Sequence, residues 1–299
     1  MALLPRAHPV HFGEGREDYY GGRLLLPELR HLGWDSFSKA TPEGLGEHRH
    51  EGWEICYLVR GQVEWWVGDE VHRVSGGQCY ITRPDEPHGG IDRVMHPCEL
   101  YWLQVHLPPA RPLPELSAAA NDHLAEAFSQ MASRVFTAQP MVMQFFERVL
   151  EEHRHSDRQS VLGARAALHL LLCEVARALG REPTRRIISE PVQRAMALLT
   201  QRPDRPPTVE TVAKAVGLGA SRFHERFVSE VGATPLEFLT RHRIELAQQQ
   251  LMQGTSIADA AKELGFTREY FTNVFRKVTG MSPAAWRTRA SSDQADPGR

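Results

Sequence analysis

The chain has no apolar run near the ~18 residues that a membrane-spanning helix needs, so no membrane partner is expected. Its opening, Met1-Ala-Leu-Leu-Pro-Arg, also has no long apolar core of the kind a secretory leader carries. Cysteine is scarce: Cys56, Cys79, Cys98 and Cys173 stand apart with no paired spacing. That excludes a disulfide framework and leaves reduced thiols in a cytoplasmic setting as the expectation. Net charge is scarce too, at −2 over 299 residues. With 41% hydrophobic and 24% charged residues the composition is that of a folded chain, long enough for two domains with separate cores.

The small net charge is unevenly spread. Residues 184–290 carry sixteen Arg and Lys against ten Asp and Glu, a net of +6, which leaves −8 on the rest. A basic C-terminal part fits contact with phosphates at one end of the molecule only.

That basic part contains one unit written twice. Thr208-Val-Glu-Thr-Val-Ala-Lys-Ala-Val-Gly-Leu-Gly-Ala-Ser-Arg-Phe-His-Glu-Arg-Phe227 aligns without a gap to Ser256-Ile-Ala-Asp-Ala-Ala-Lys-Glu-Leu-Gly-Phe-Thr-Arg-Glu-Tyr-Phe-Thr-Asn-Val-Phe275, at a constant offset of 48. Ala213 and Ala261, Gly217 and Gly265, Phe223 and Phe271, Phe227 and Phe275, Gly232 and Gly280, and Pro235 and Pro283 coincide. A short helix, a glycine turn and a second helix make a helix-turn-helix, which sets one helix in the DNA major groove. Two in tandem imply a reader of two successive grooves. Thr234 with Glu237 forms a capping box and Ser256 with Asp259 resembles one. Pro235 and Pro283 sit where a first helical residue belongs, and Gly217 and Gly265 where a helix must stop.

If the phenylalanine pairs face inward, the opposite helical faces carry Ser221, His224 and Glu225 in the first unit, and Glu269, Thr272, Asn273 and Arg276 in the second. These side chains can bond base edges, asparagine to adenine and glutamate to cytosine. Arg226, Arg241, Arg243, Arg276 and Lys277 are expected at phosphates, which position the protein without specifying sequence.

The run Gly265-Phe-Thr-Arg-Glu-Tyr-Phe-Thr-Asn-Val-Phe-Arg-Lys-Val-Thr-Gly-Met-Ser-Pro-Ala-Ala-Trp-Arg287, with the connecting Arg241-His-Arg-Ile-Glu-Leu-Ala, resembles the signature of the AraC/XylS transcription regulators. The resemblance covers about 100 residues. It implies a seven-helix domain whose two units are joined by one long helix, and it adds RNA polymerase as a partner. It places base reading on Ser221, His224 and Glu225, then on Arg268, Glu269, Tyr270, Thr272 and Asn273. The first unit departs at Glu225, where that family frequently has arginine, so its base preference does not carry over.

Upstream, residues from about 20 to 107 read as strands. Residues 54–59, 63–67, 78–82 and 99–107 are short β-rich runs, separated by turn-forming pieces at Arg60-Gly-Gln, Gly68-Asp-Glu, Ser75-Gly-Gly and Arg83-Pro-Asp-Glu-Pro. Many short strands at this spacing favour a sandwich or small barrel. From about Asn121 to Leu179 the period becomes helical. Val161, Ala164, Leu168, Leu171, Leu172, Val175 and Leu179 form a broad apolar stripe that must cover the barrel or a second copy. The expected dimer surface is the part around Leu168 and Leu172. Residues 180–186 read as a linker, and the tail from Ser291 as disordered.

The most chemically loaded stretch is His48-Arg-His-Glu-Gly-Trp-Glu54, followed by Pro84-Asp-Glu-Pro-His88. On a strand, His48, His50 and Glu54 share a parity, and three imidazoles with one carboxylate suit one divalent transition metal such as Zn, Mn, Ni or Fe. The same histidines could instead bond the hydroxyls of a sugar. Trp53 and Trp102 are candidate aromatic walls of an effector site shared with His48, His50, Glu54 and His88. The spacing resembles the cupin family. It departs in a shifted glycine ahead of His48 and in a second motif one residue short before His88.

The expected architecture is a two-domain α+β chain. A cupin-like effector-sensing barrel occupies 1–110, a helical dimerisation and linker region 111–182, an AraC-type DNA-binding domain with two helix-turn-helix units 183–290, and a tail 291–299. The expected function is an effector-responsive, non-enzymatic DNA-binding regulator, a cytoplasmic homodimer that senses a sugar or related small molecule. The alternative is a metal-dependent cupin enzyme, an isomerase or dioxygenase, with an appended DNA-binding module.

Overall fold

A computed structural model of the chain describes residues 12–13, 15–180 and 188–295. They form two compact units. The first holds the β-structure and three helices; the second holds seven helices, together with the short segments Phe37–Leu45 and Asp92–Pro97.

The first unit is antiparallel. Strands β1 (Phe12–Gly13), β2 (Arg16–Tyr20), β3 (Leu29–Phe37), β4 (Trp53–Val67), β6 (Gln78–Thr82), β8 (Cys98–Val105) and β9 (Val135–Thr137) lie in the order β1-β2-β3-β8-β4-β6-β9. β5 (Glu70–Ser75) and β7 (His88–Gly90) pair with the far half of β4. The sequence suggested two strands broken by a turn at Arg60-Gly-Gln. The chain instead runs through as one 15-residue strand. A bulge between Leu58 and Arg60, with Gly61 at φ +94°, bends β4 so that its two halves serve two sheets. β9 lies inside the region whose periodicity read as helical; three residues are too few for a strand pattern to show.

Period-two alternation then divides the side chains. Ile55, Tyr57, Cys79, Ile81, Leu103 and Val105 point to one face and merge into a single core with helices α1 (Ala118–Ser129), α2 (Met141–His155) and α3 (Ser160–Leu179). Glu54, Cys56, Tyr80, Thr82, Trp102 and Gln104, of the opposite parity, line the other face. The helices thus pack on the face opposite the one that carries Glu54. The stripe on α3 is spent on this core: Leu168 and Leu172 are fully buried, so the expected dimer surface is not there. What α3 leaves outside is Leu162, Ala166 and Leu170, one helical face at i, i+4, i+8. The expected linker lies, after Gly180, outside the described residues.

The second unit comprises α4 (Glu190–Gln201), α5 (Val209–Ala215), α6 (Ala220–Val231), α7 (Pro235–Met252), α8 (Ile257–Glu263), α9 (Arg268–Thr279) and α10 (Pro283–Ala295). α10 continues five residues into the expected disordered tail; 296–299 lie outside the described residues. The start signals act as read. Thr234 and Glu237 close a complete capping box, Ser256 accepts from the Asp259 N–H, and Pro235 opens α7. Gly217 and Gly265 adopt φ +73° and +72°, the left-handed turn that side chains resist. Phe223 and Phe227 anchor one core, and Phe271 and Phe275 a second, separate one.

Candidate metal centre and DNA-reading faces

Two backbone clasps assemble the barrel cluster. His48 and His88 form an isolated antiparallel bridge, each N–H donating to the other's carbonyl at 3.0 Å. The Asp85 N–H donates to the His50 carbonyl at 2.8 Å. Glu54 projects from β4 between its register partners Thr82 and Gln104. His48 and His50 therefore converge through a bridged loop, since β4 begins only at Trp53, and strand parity is not what aligns them. The ligand atoms of His48, His50, Glu54 and His88 lie within 4.8 Å of one another.

The hydrogen bonds decide which ring atom is offered. His48 Nδ1 bonds the Gly46 carbonyl at 2.9 Å, His50 Nδ1 the Gly52 carbonyl at 2.8 Å, and His88 Nδ1 the Glu86 carbonyl at 2.8 Å. A carbonyl only accepts, so each Nδ1 carries the proton and a neutral ring presents its Nε2 lone pair. This is the outer-shell arrangement that orients metal-ligating histidines. His50 Nε2 and His88 Nε2 are buried without a hydrogen-bond partner and lie 3.5 and 3.4 Å from the same oxygen, Glu54 Oε2. Lone pairs facing a carboxylate repel it unless a proton or a cation sits between them.

The titration behaviour shows a proton competing for that position, since it favours a charged imidazole beside a charged carboxylate. Burial alone would raise the Glu54 carboxyl, yet His50 and His88 outweigh it and hold it far below the usual carboxylate range. Burial would lower His50, but its bond and attraction to Glu54 and the Gly52 carbonyl leave it raised. The other oxygen, Glu54 Oε1, accepts from Gln104 Nε2 at 3.1 Å. Gln104 was not a sequence candidate, because only the β4–β8 register reveals it.

Trp102 lies on the cluster's face of β8, beside Cys56. Its indole fills the space over Gly33, where a Cβ would meet the ring at 2.3 Å, and His31 stands edge-on at 5.5 Å. Trp53 is different. It faces the helices and packs against Phe128 at 5.1 Å, so it does not join the cluster; its parity is opposite to that of Glu54. Three further buried groups share the inner face: Trp65 Nε1, Tyr80 Oη and Thr82 Oγ1 have no hydrogen-bond partner among the described residues. Buried polar groups are rarely left so.

In the helical unit, Ser221, His224 and Glu225 are exposed on α6 and Arg268, Glu269, Tyr270, Asn273 and Arg276 on α9. Thr272 is half-buried and its hydroxyl donates to the Arg268 carbonyl at 3.1 Å, a helix back-bond. The phosphate expectations need two corrections. Arg226 is held by Glu230 at 2.7 Å, in a network that includes Ser189. Arg243 is folded inward, donating to the Pro203 carbonyl and stacking on Phe266. Arg276 and Lys277 are exposed and Arg241 is half-buried.

A family model described as an AraC-like ligand binding domain matches residues 38–172, and one described as a helix-turn-helix domain matches 212–289. The chain is 25% identical over 247 residues to the virulence regulon transcriptional activator VirF of Yersinia enterocolitica, covering 80% of this chain and 89% of that protein. It is 26% identical over 259 residues to the transcriptional activator RhaR of Klebsiella pneumoniae, covering 82% and 88%. The crystal structure of the DNA-binding domain of AdpA with a target DNA aligns at 29% identity and a TM-score of 0.33, over 37% of this chain and all of that one.

Proposed function

Because the chain belongs to the AraC family of DNA-binding transcription regulators, with a ligand-binding domain ahead of its helix-turn-helix units, we propose that its barrel is a metal-assisted sensor. His48, His50, Glu54 and His88 hold one divalent metal, and a small oxygen-rich effector, such as a sugar or sugar acid, completes the site. The observation that carries this reading is the convergence of two partnerless Nε2 atoms on one glutamate oxygen, with every Nδ1 committed to a carbonyl. A bound metal would supply positive charge to orient the effector's hydroxyl or carboxylate oxygens. Trp65, Tyr80 and Thr82 offer three buried hydrogen-bonding groups to the same ligand, and Trp102 an aromatic wall. The site senses rather than catalyses, in a chain that works in the cytoplasm beside RNA polymerase.

Effector binding changes DNA engagement only if it favours one arrangement of the protein over another. Footprinting the full-length chain on DNA selected from random sequence tests the reading. We expect two protected segments about one helical turn, ~10 bp, apart on one face, with affinity or pattern altered by chelation and restored by metal. A single protected groove contradicts the two readers. A footprint indifferent to chelation and reloading contradicts the coupled sensor.

The exposed residues divide into two roles with separate signatures. Asn273→Ala is expected to relax preference at one base position, at a cost of ~1–3 kcal/mol. Arg276→Ala is expected to weaken all sequences alike and to flatten the salt dependence. Binding curves for both variants across single-base substitutions and salt concentrations check this; identical behaviour removes the division.

A homodimer through α3 also belongs to this proposal. With Leu168 and Leu172 buried, the self-complementary surface moves to Leu162 and Leu170, which are 66% and 52% exposed with Ala166 between them. Leu162→Glu with Leu170→Glu is expected to give a monomer by light scattering without changing the fold, because neither side chain enters the core. A variant as dimeric as the wild type moves the interface elsewhere.

A further inference from the structure

We infer that Arg243 is the positioning residue that fixes the separation of the two DNA readers, by tying the first helix-turn-helix unit to the turn of the second. This rests on the two-reader proposal above. Among the described residues the two helix-turn-helix units do not share an apolar core. Val192, Ala195, Leu199, Val212, Ala213, Phe223 and Phe227 form one cluster, and the second is built on Ile244, Leu251, Phe271 and Phe275. α7 connects them. Phe238, in its first turn, packs on the first cluster, and from Ile244 onward it contributes to the second. A helix shared in this way leaves each unit a pivot about the helix midpoint unless something else braces them.

Arg243 stands at that midpoint. Its Nε donates to the carbonyl of Pro203, in the loop between α4 and α5 of the first unit. Its guanidinium carbon lies 4.5 Å from the centroid of Phe266, the residue after the glycine turn of the second. One planar group thus donates at its edge and stacks on its face, a combination a lysine ammonium does not offer. The turn itself presses on the same loop: a Cβ on Gly265 would stand 2.1 Å from the Asp204 carbonyl oxygen and 2.9 Å from its carbon. Gly265 therefore serves two ends, the left-handed turn at φ +72° and the close approach of two backbones. Arg243 closes over that contact.

A rigid pair of readers imposes a strict spacing on its DNA. Lengthening the spacer by one base pair carries the second half-site ~3.4 Å along the axis and turns it by roughly 35°. Readers that pivot can follow such a change; braced readers cannot.

The test is a set of duplexes carrying the selected bipartite site with spacers changed by one and two base pairs, together with each half-site alone, bound to the full-length chain. Wild type is expected to lose about tenfold or more per base pair of change. Arg243→Met is expected to bind the whole spacer series with nearly equal affinity, weaker than wild type at the optimal spacing and unchanged on isolated half-sites. Arg243→Lys is expected to behave like Arg243→Met. A merely structural role would instead weaken half-sites and full sites together. If Arg243→Met fails to fold, Phe266→Leu, which removes the stacking face but keeps an apolar side chain against Tyr270 and Phe271, is judged by the same spacer profile. A folded variant that keeps the sharp wild-type profile overturns the inference and leaves the two-reader reading standing. A wild type indifferent to spacer length overturns both.

Discussion

Phe271→Ala is expected to erase the second half of the DNA footprint while the first half persists. Phe271 is fully buried, packed between Phe266 at 5.8 Å and Phe275 at 5.6 Å, in a core drawn from α7, α8, α9 and the turn at Leu264, with Trp286 of α10 packed against it. Emptying such a site costs about 3–5 kcal/mol, a large share of the ~5–15 kcal/mol that holds a whole domain together. The loss falls on one unit because Phe223 and Phe227 belong to the other cluster. Footprinting with a thermal melt followed by far-ultraviolet circular dichroism checks it. Equal loss at both half-sites would show that the two cores melt as one.

Acid is expected to destabilise the barrel unit, with His153 as the largest contributor among the histidines whose pKa burial lowers. His153 is completely buried; its Nε2 accepts the Leu25 N–H at 3.2 Å and its Nδ1 donates to the Val149 carbonyl at 2.7 Å, so both nitrogens are committed to the neutral ring. Burial depresses its pKa to about 4, against smaller upward pulls from the Val149 bond and Glu17. The unfolded chain takes up this proton near pH 6.5, whereas the folded chain refuses it until about pH 4. Stability is therefore full above pH 6.5 and is lost as pH falls towards 4. Each tenfold difference in proton affinity between the two states is worth ~1.4 kcal/mol, so the loss reaches about 3 kcal/mol. Urea midpoints at pH 7, 5.5 and 4.5 measure it. His153→Gln is expected to be less stable than wild type at pH 7 and to converge on it in acid; parallel curves would remove His153 as the cause.

The helical half was almost wholly legible in the sequence because its signals are local. Thr234 and Glu237, Gly217 and Gly265, and the phenylalanine pairs each act within four residues, and a gap-free repeat states them twice. Arg226 and Arg243 were misread for different reasons. Glu230, which holds Arg226, is only four residues on, a local i, i+4 pair that the sequence reading passed over. The partner of Arg243, the Pro203 carbonyl, is distant in sequence, and a basic residue near a reading helix looks the same whether it meets a phosphate or a carbonyl.

The barrel half was legible in kind but not in pairing. His48, His50, Glu54 and His88 stand out by residue type, but a bridge from the loop at His48 to the first residue of β7 brings them together, and no strand periodicity encodes that. Gln104, Tyr80 and Thr82 required the register of β4 with β8 and β6. Trp53 looked like a ligand wall because it adjoins Glu54, yet adjacent residues on a strand face opposite ways. The stripe on α3 was correctly apolar, but periodicity does not say whether such a stripe meets its own barrel or a second copy.

The most direct measurement on the central claim is the metal content of the full-length chain, purified without an affinity tag and then reloaded with Zn, Mn, Ni and Fe in separate trials. The account predicts about one divalent ion per chain, retained through dialysis and raising the unfolding temperature. It also predicts loss of both in a Glu54→Ala, His88→Ala variant whose DNA-binding half still melts normally. A wild-type chain that is metal-free as purified, takes up none of the four ions and unfolds identically in their presence would contradict it.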